Sequence, residues 1–276
     1  MGGADGDTFD RSLAHWSEDG REEMEAFYAV ATQDYRELAE AWDWAGWLTK
    51  RLEGQDEVRI LDVACGSGKF PRALRRHTAL GDLEGTPLVL DLLDPSAFSL
   101  EEAAASLAPP MRAGRRFEVK LQELDADAGP YDIVWATHAL YALPEAELPA
   151  GAAVFRDAIA PDGLGFIAHA TENAHYLRFY ERYLRRRGGT PYASAAAVAD
   201  AFRGAGAEVD ARTITYRHVI TDEGVLEGYL QRCLFDDTLD LEAMRADPEL
   251  GPYLAEHTEG GRATFEQEVA MLFIRR

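Results

Sequence analysis

One stretch constrains the fold of this chain more than any other: Val58-Arg-Ile-Leu-Asp-Val-Ala-Cys-Gly-Ser-Gly-Lys-Phe70. A short β-rich apolar run (Val58, Ile60, Leu61, Val63) gives way to the small residues Ala64, Cys65, Gly66, Ser67 and Gly68. A helical stretch then starts near Lys69 and carries Phe70 and Leu74. Strand, glycine turn and helix in that order form the unit that lets a ligand approach the backbone closely. Glycine removes the Cβ atoms that would block the approach, and a helix N-terminus offers unpaired N–H groups to an anion. The residues alone leave a plain tight turn open as a second reading. A nicotinamide dinucleotide fold is a third; against it, Phe70 and Pro71 are bulky where the helix must pack near the diphosphate.

Periodicity extends the alternation along the chain. Residues 1–20 are polar and glycine-rich, a loose start. From Arg21 to Leu52 apolar residues (Met24, Phe27, Tyr28, Tyr35, Leu38, Trp42, Trp44, Trp47, Leu48) recur mostly at spacings of three and four, which predicts two helices. Strands are predicted over residues 58–63, 88–93, 116–121, 131–137 and 164–170, with helices over 69–77, 100–107 and 146–160 between them. The run from Leu88 to Leu93 is almost wholly apolar, as in a buried parallel sheet. Ser99 with Glu102 predicts a capping box, Pro109-Pro110 stops that helix, and Pro161-Asp-Gly163 ends the next. Helices are further predicted over 173–186, 194–202, 224–234 (capped by Thr221-Asp222) and 241–256 (interrupted by Pro248 and Pro252), with long strands over 209–220 and 264–275. Strands alternating with helices argue an α/β, doubly wound parallel sheet. A helical insertion between the last two strands fits one reversed strand near the edge.

Composition narrows the function. The chain has 276 residues, 47% of them hydrophobic, enough for a substantial core. It holds no apolar run of ~18 residues, so no membrane span is expected, and the N-terminus lacks the pattern of a secretory signal. Two cysteines, Cys65 and Cys233, make no disulfide framework and suggest a cytoplasmic protein. A net charge of −21 disfavours a nucleic-acid partner, because the basic clusters Arg112, Arg115, Arg116 and Arg185 to Arg187 are short. The acidity suits a cationic substrate such as an amine; solubility is the plainer explanation. The histidines show no His-x-x-x-His spacing, and no metal is predicted.

Asp62-Val63-Ala64-Cys65-Gly66-Ser67-Gly68 resembles motif I of the class I methyltransferases that use S-adenosylmethionine (SAM), with Ala64 in place of the first glycine. Thr137-His138-Ala139-Leu140-Tyr141, taken with Asp94-Pro-Ser-Ala97, resembles the histamine N-methyltransferase branch. The likeness extends to Leu226–Phe235 and Phe265–Ile274. It implies a Rossmann-like seven-stranded sheet with the last strand antiparallel. Residues 1–52 would form a helical cover and 53–276 the SAM-binding domain, with substrate-covering helices at 173–205 and 221–258. The cofactor set it implies is Asp62, Ala64, Gly66, Ser67, Gly68, Asp94, Pro95, Glu123, Leu124 and Thr137. Asp94 stands about 26 residues after Gly68, near the ~20-residue spacing of an acidic ribose ligand; a helix cap is the plainer role. Glu123 and Leu124 take the places that meet adenine in the family.

The resemblance also locates an acceptor pocket, lined by Tyr28, Tyr35, His138, Tyr141, Tyr176, Tyr180 and Gln267. The family's glutamine at the end of strand four is His138 here, and its asparagine near the C-terminal strand falls on Gln267. His138 is the candidate catalytic residue, either as a general base for the acceptor or as a wall residue that orients it. His169 ends the neighbouring strand, where a structural role fits better. The expected activity is N-methylation of a small amine or the amino terminus of a peptide natural product. O- or C-methylation of a secondary metabolite is an alternative, and non-catalytic SAM binding another.

Overall fold

The computed structural model describes residues 21–276 apart from Thr86 and Ala142, with side chains from Phe27 onward. The expected loose start at residues 1–20, His15 and the side chain of Met24 lie outside the described residues.

Two helices open the described chain, α1 (Arg21–Glu40) and α2 (Trp44–Leu52). Asp43 caps α2 through the Gly46 N–H, and the Trp44 indole donates to the Leu38 carbonyl at 3.2 Å, fixing one helix on the other. The alternation then runs β1 (Val58–Val63), α3 (Lys69–His77), β2 (Leu88–Leu93), α4 (Ala97–Ser106), β3 (Met111–Phe117), β4 (Tyr131–Thr137), α5 (Leu148–Ala158), β5 (Ile159–Ala170). After it come α6 (His175–Arg187), α7 (Ala195–Gly204), β6 (Glu208–Ile220), α8 (Glu223–Leu234), α9 (Leu241–Ala246), α10 (Leu250–Glu256), β7 (Thr258–Glu259) and β8 (Arg262–Arg275).

The sheet runs β3-β2-β1-β4-β5-β8-β6, with the two-residue β7 paired onto β8. The first five strands are parallel, and β8 lies antiparallel to both β5 and β6. This is the expected seven-strand arrangement with its last strand reversed. Strand order changes direction between β1 and β4, which opens a crevice at their carboxyl ends.

Apolar side chains cover both faces. On one, Trp44 packs edge to face on Phe166 at 4.7 Å and Phe70 on Trp135 at 5.2 Å between centroids, while Phe70 stacks on Phe166. On the other, α5 and α7 bury Phe155 against Phe202 at 5.2 Å. A third cluster joins α6, α8, α9 and α10 to Phe265 of β8 and Ile220 of β6. Helix α1 packs against α3, α8 and β6, so it lies over the crevice.

Three expectations change. Strand three is Met111–Phe117, not 116–121: Leu88 N–H bonds the Pro110 carbonyl at 3.1 Å, so pairing starts straight after the prolines. The charged residues 112, 115 and 116 disguised it, because β3 is an edge strand whose side chains are mostly exposed. Helix α4 starts at Ala97, since Ser96, not Ser99, accepts the capping N–H. Chain 159–163, expected to end a helix, already belongs to β5 across an irregular register. The interruption expected at Pro248 is present: the helix breaks at Asp247, whose carboxylate accepts from the Glu249 and Leu250 N–H groups and starts α10, while Pro252 lies inside α10 without breaking it.

Candidate active site

A cavity of about 210 Å³ opens at the carboxyl ends of β1, β2 and β4 under α1. Its floor is the glycine loop. Gly66 has φ +50°, and a Cβ placed there would meet only the Tyr28 hydroxyl at 3.9 Å, which leaves room for a ligand. Gly68 (φ +70°) serves a different need: a Cβ there would stand 2.3 Å from Ser106 Oγ and 3.2 Å from Ala103 Cα. It lets the loop close on α4. Ser67 and Gly68 are not among the lining residues, unlike Asp62, Ala64, Cys65 and Gly66.

Among the described residues three non-glycines take positive φ: Ala64 (49°), His138 (53°) and Phe235 (49°). All three line this cavity. The left-handed region costs such residues roughly 1 kcal/mol or more, and strain of this kind collects at functional sites.

Two carboxylates flank the loop. Asp94 ends β2 and accepts from the Gly66 N–H at 3.0 Å and the Ser96 N–H at 2.9 Å. Burial raises its pKa, and the two backbone hydrogen bonds oppose the rise. Helix capping and loop bracing thus coexist in one residue. Burial pushes the Asp62 carboxyl up to about 8, with the Asp94 charge adding to the shift. Its Oδ2 is buried with no hydrogen-bond partner among the described residues. Pro95 and Thr137 complete this side. After β3 the lining residues are Lys120, Leu121 and Gln122, not Glu123 and Leu124. Glu123 turns back to cap the Lys120 N–H at 3.2 Å, and Leu124 is buried in the core beyond the sheet. The shift follows from the earlier start of β3. Asp91 is engaged elsewhere, by Arg115 and the Tyr131 hydroxyl.

The opposite half of the cavity is aromatic. Helix α1 contributes Tyr28, Asp34 and Tyr35; the end of β4 contributes His138 and Tyr141; α6 contributes Tyr176. Tyr192, Arg232, Cys233 and Phe235 close it. No lining residue comes from α7, α9 or α10 among the described residues. Two expected pocket residues are absent. Tyr180 is buried behind the wall, stacked on Tyr192 at 3.8 Å. Gln267 is wholly buried one layer further back, where its amide reaches the Tyr229 hydroxyl at 3.1 Å.

Asp34, which sequence reading passed over, joins that layer to the cavity wall. Its carboxylate accepts from His218 Nε2 at 2.7 Å and from the Tyr176 hydroxyl at 2.6 Å. The Tyr229 hydroxyl stands 2.9 Å from His218 Nδ1. Burial alone would raise the Asp34 pKa; interaction with His218 and the Tyr176 hydrogen bond outweigh it and hold the group below its ordinary value. An ionised carboxylate therefore stands in an aromatic wall. The signal was present in sequence: Phe27, Ala31, Asp34 and Leu38 share one helical stripe, and a charge in an apolar stripe needs a partner.

His138 meets the Tyr141 hydroxyl through Nδ1 at 2.6 Å, and its Nε2 is buried without a partner among the described residues. Burial lowers its pKa against the pull of Asp34, so the ring is neutral at neutral pH. His169 does not reach the cavity. It is fully buried beneath the Tyr141 ring, bonded to the Ala193 carbonyl at 2.9 Å, and burial pushes it down to about 3.

Comparison with known proteins now decides the family. Residues 27–212 match the family described as methyltransferase domain. The chain belongs to that family. It is a class I methyltransferase, an enzyme whose methyl donor is SAM. Solved structures similar to this methyltransferase share its fold at low identity. A putative methyltransferase from Bacillus halodurans C-125 aligns with TM-score 0.55 and 13% identity over 83% of this chain and 97% of its own. Magnesium protoporphyrin IX methyltransferase from Synechocystis PCC 6803, with bound S-adenosylhomocysteine, aligns with TM-score 0.54 and 13% identity over 98% and 100%. A comparison with curated proteins gives no match. These likenesses carry the class I family and do not reach the histamine N-methyltransferase branch.

The cavity fits the cofactor. The open space over Gly66, the left-handed Ala64 and the orphaned Asp62 Oδ2 form a cradle with an acidic wall. When bound, SAM supplies a methyl group already activated on a sulfonium. Among the described residues no cluster suited to a metal ion is present.

Proposed function

We propose that this methyltransferase N-methylates a small amine or the amino terminus of a short peptide. The Asp34 carboxylate, held ionised in an aromatic wall, carries the reading. Tyr28, Tyr35, Tyr141 and Tyr176 offer ring faces and edges around it, a setting that attracts an ammonium by about 0.5–2 kcal/mol per favourable ring.

In this reading Asp62, Ala64, Gly66, Asp94, Pro95 and Thr137 hold the cofactor, with Lys120, Leu121 and Gln122 on its adenine side. Asp94 keeps the loop N–H of Gly66 fixed and retains free lone pairs for the ribose hydroxyls. Methyl transfer places positive charge on the acceptor nitrogen, and Asp34 stabilises that charge in a site that excludes water. The nitrogen must lose its proton before attack. A carboxylate beside it raises its pKa, so turnover climbs with pH as the amine deprotonates. The two free cysteines and the net charge of −21 favour a cytoplasmic enzyme with no nucleic-acid partner.

The test is incubation of the protein with SAM and a panel of amines, alcohols and activated carbon acids. Release of S-adenosylhomocysteine with a mass gain on the amines alone supports the reading. Methylated alcohols or carbon acids instead would overturn it, as would SAM binding with no product from any amine.

A further inference from the structure

His138 is held in a way that its neighbours alone explain. Its backbone N–H is fixed to the Ala168 carbonyl at 2.9 Å, and its φ of 53° turns the side chain from the line of β4. The Tyr141 hydroxyl then meets Nδ1 at 2.6 Å and accepts from the Ala170 N–H at 3.1 Å. A phenol has one proton to give. With Ala170 a donor, the neighbour able to receive it is His138 Nδ1. Nδ1 is therefore the acceptor, and the proton of the neutral ring is assigned to Nε2. That atom is buried with no partner among the described residues, on a ring that lines the cavity and stands 5.8 Å from the Tyr35 ring and 6.4 Å from the Tyr176 ring. An N–H left unmatched in such a place is satisfied by what binds there.

We infer that Tyr141 is a positioning residue that holds His138 as a hydrogen-bond donor through Nε2, and that the pair selects amines carrying a carbonyl or hydroxyl oxygen beside the nitrogen to be methylated. The donor cannot serve that nitrogen itself, because a hydrogen bond to its lone pair would block attack. The selection rests on the amine reading above; the tautomer does not. Of the two roles open to His138 in the sequence, orientation is the one this geometry serves. A ring whose Nδ1 already accepts from Tyr141 and whose Nε2 already carries hydrogen has no free lone pair for a substrate proton.

Two measurements test this. Nitrogen NMR of protein labelled in histidine, with His138 assigned by its loss in His138→Gln, should show an unprotonated Nδ1 and a protonated Nε2 near neutral pH. A ring protonated on Nδ1 overturns the inference, whether or not any acceptor is known. In kinetics, amine pairs that differ only in the neighbouring oxygen should differ ~10-fold or more in kcat/KM with the wild type, and Tyr141→Phe should lose most of that preference. An equal loss for both members of each pair overturns the selective role. If no amine is methylated, the amine reading fails while the NMR result still decides the tautomer.

Discussion

Asp34 and His218 lie 184 residues apart in sequence and 2.7 Å apart in the fold. The contact joins the helix that covers the site to the edge strand of the sheet, and its carboxylate forms part of the cavity wall. Tyr176 bonds the second oxygen, while Tyr229 and Gln267 brace His218 from behind. The proposed recognition of a cation and the seating of α1 thus rest on the same group.

Asp34→Asn should raise KM for a cationic acceptor ~10-fold or more, since a charge-assisted contact in a buried site is worth about 1.5–3 kcal/mol. SAM affinity, measured by calorimetry, should change little. The pH at which turnover levels off should fall, because the carboxylate no longer raises the amine's pKa. Stability follows from the sign of the Asp34 shift. Its folded pKa lies below the unfolded value, so its contribution is present above about pH 4 and lost as pH falls through the folded pKa. Thermal melts of wild type and variant should therefore converge in acid. Unaltered KM for every cationic acceptor would remove Asp34 from substrate recognition.

Gly66 and Gly68 should separate cleanly. Gly66→Val fills the open space above the loop and should abolish SAM binding, while its strained φ costs only modest stability. Gly68→Ala drives a methyl into Ser106 and the Ala103 backbone, so the first loss should be in Tm, by several degrees. Calorimetry and melting curves on both variants check this. Full SAM affinity in a folded Gly66→Val protein would contradict the cradle.

The glycine loop was legible because everything it needs lies within a few residues: small side chains, a preceding strand and a following helix. Asp94 was legible for the same reason, at the end of an unmistakable strand. Strand three was misplaced because an edge strand does not bury both faces, and the charges of Arg112, Arg115 and Arg116 hid its pairing. That error moved the cavity residues from Lys120–Gln122 to Glu123 and Leu124. Gln267 was placed on the right strand and in the wrong layer, since which face of β8 meets the cavity depends on how α1 and α8 pack above it. No local pattern in sequence pairs Asp34 with His218.

Asp62 predicts a proton linkage. Burial pushes its carboxyl up to about 8, which leaves it largely protonated at neutral pH. A cationic ligand favours the carboxylate, so SAM binding should release a proton and tighten as pH rises, levelling off above about 8. Calorimetry in buffers of different ionisation enthalpy reads the proton directly. The same shift has a stability sign. A folded pKa above the unfolded one gives a contribution present below about pH 4 and lost on passing upward through 8. Asp62→Asn should therefore be more stable than the wild type at pH 9 and lose the proton release. Proton release that survives in Asp62→Asn would assign the linkage to another group.

His138 supplies the last prediction. If it orients the acceptor through an Nε2 donor, His138→Gln keeps an N–H able to take that place and should retain turnover within ~10-fold, with the change mainly in KM. His138→Leu removes the donor and leaves the acceptor oxygen unmatched in a buried site, which should cost about 1–3 kcal/mol in kcat/KM. Burial keeps the ring neutral, so wild-type kcat should show no inflection near pH 6.5 belonging to His138. The opposite pattern is equally distinct. A general base would give a ~100-fold or larger loss of kcat in both variants, shrinking at high pH where the amine deprotonates unaided. Steady-state kinetics across pH for the three proteins decides between them, and wild-type behaviour in His138→Leu would remove the residue from the mechanism altogether.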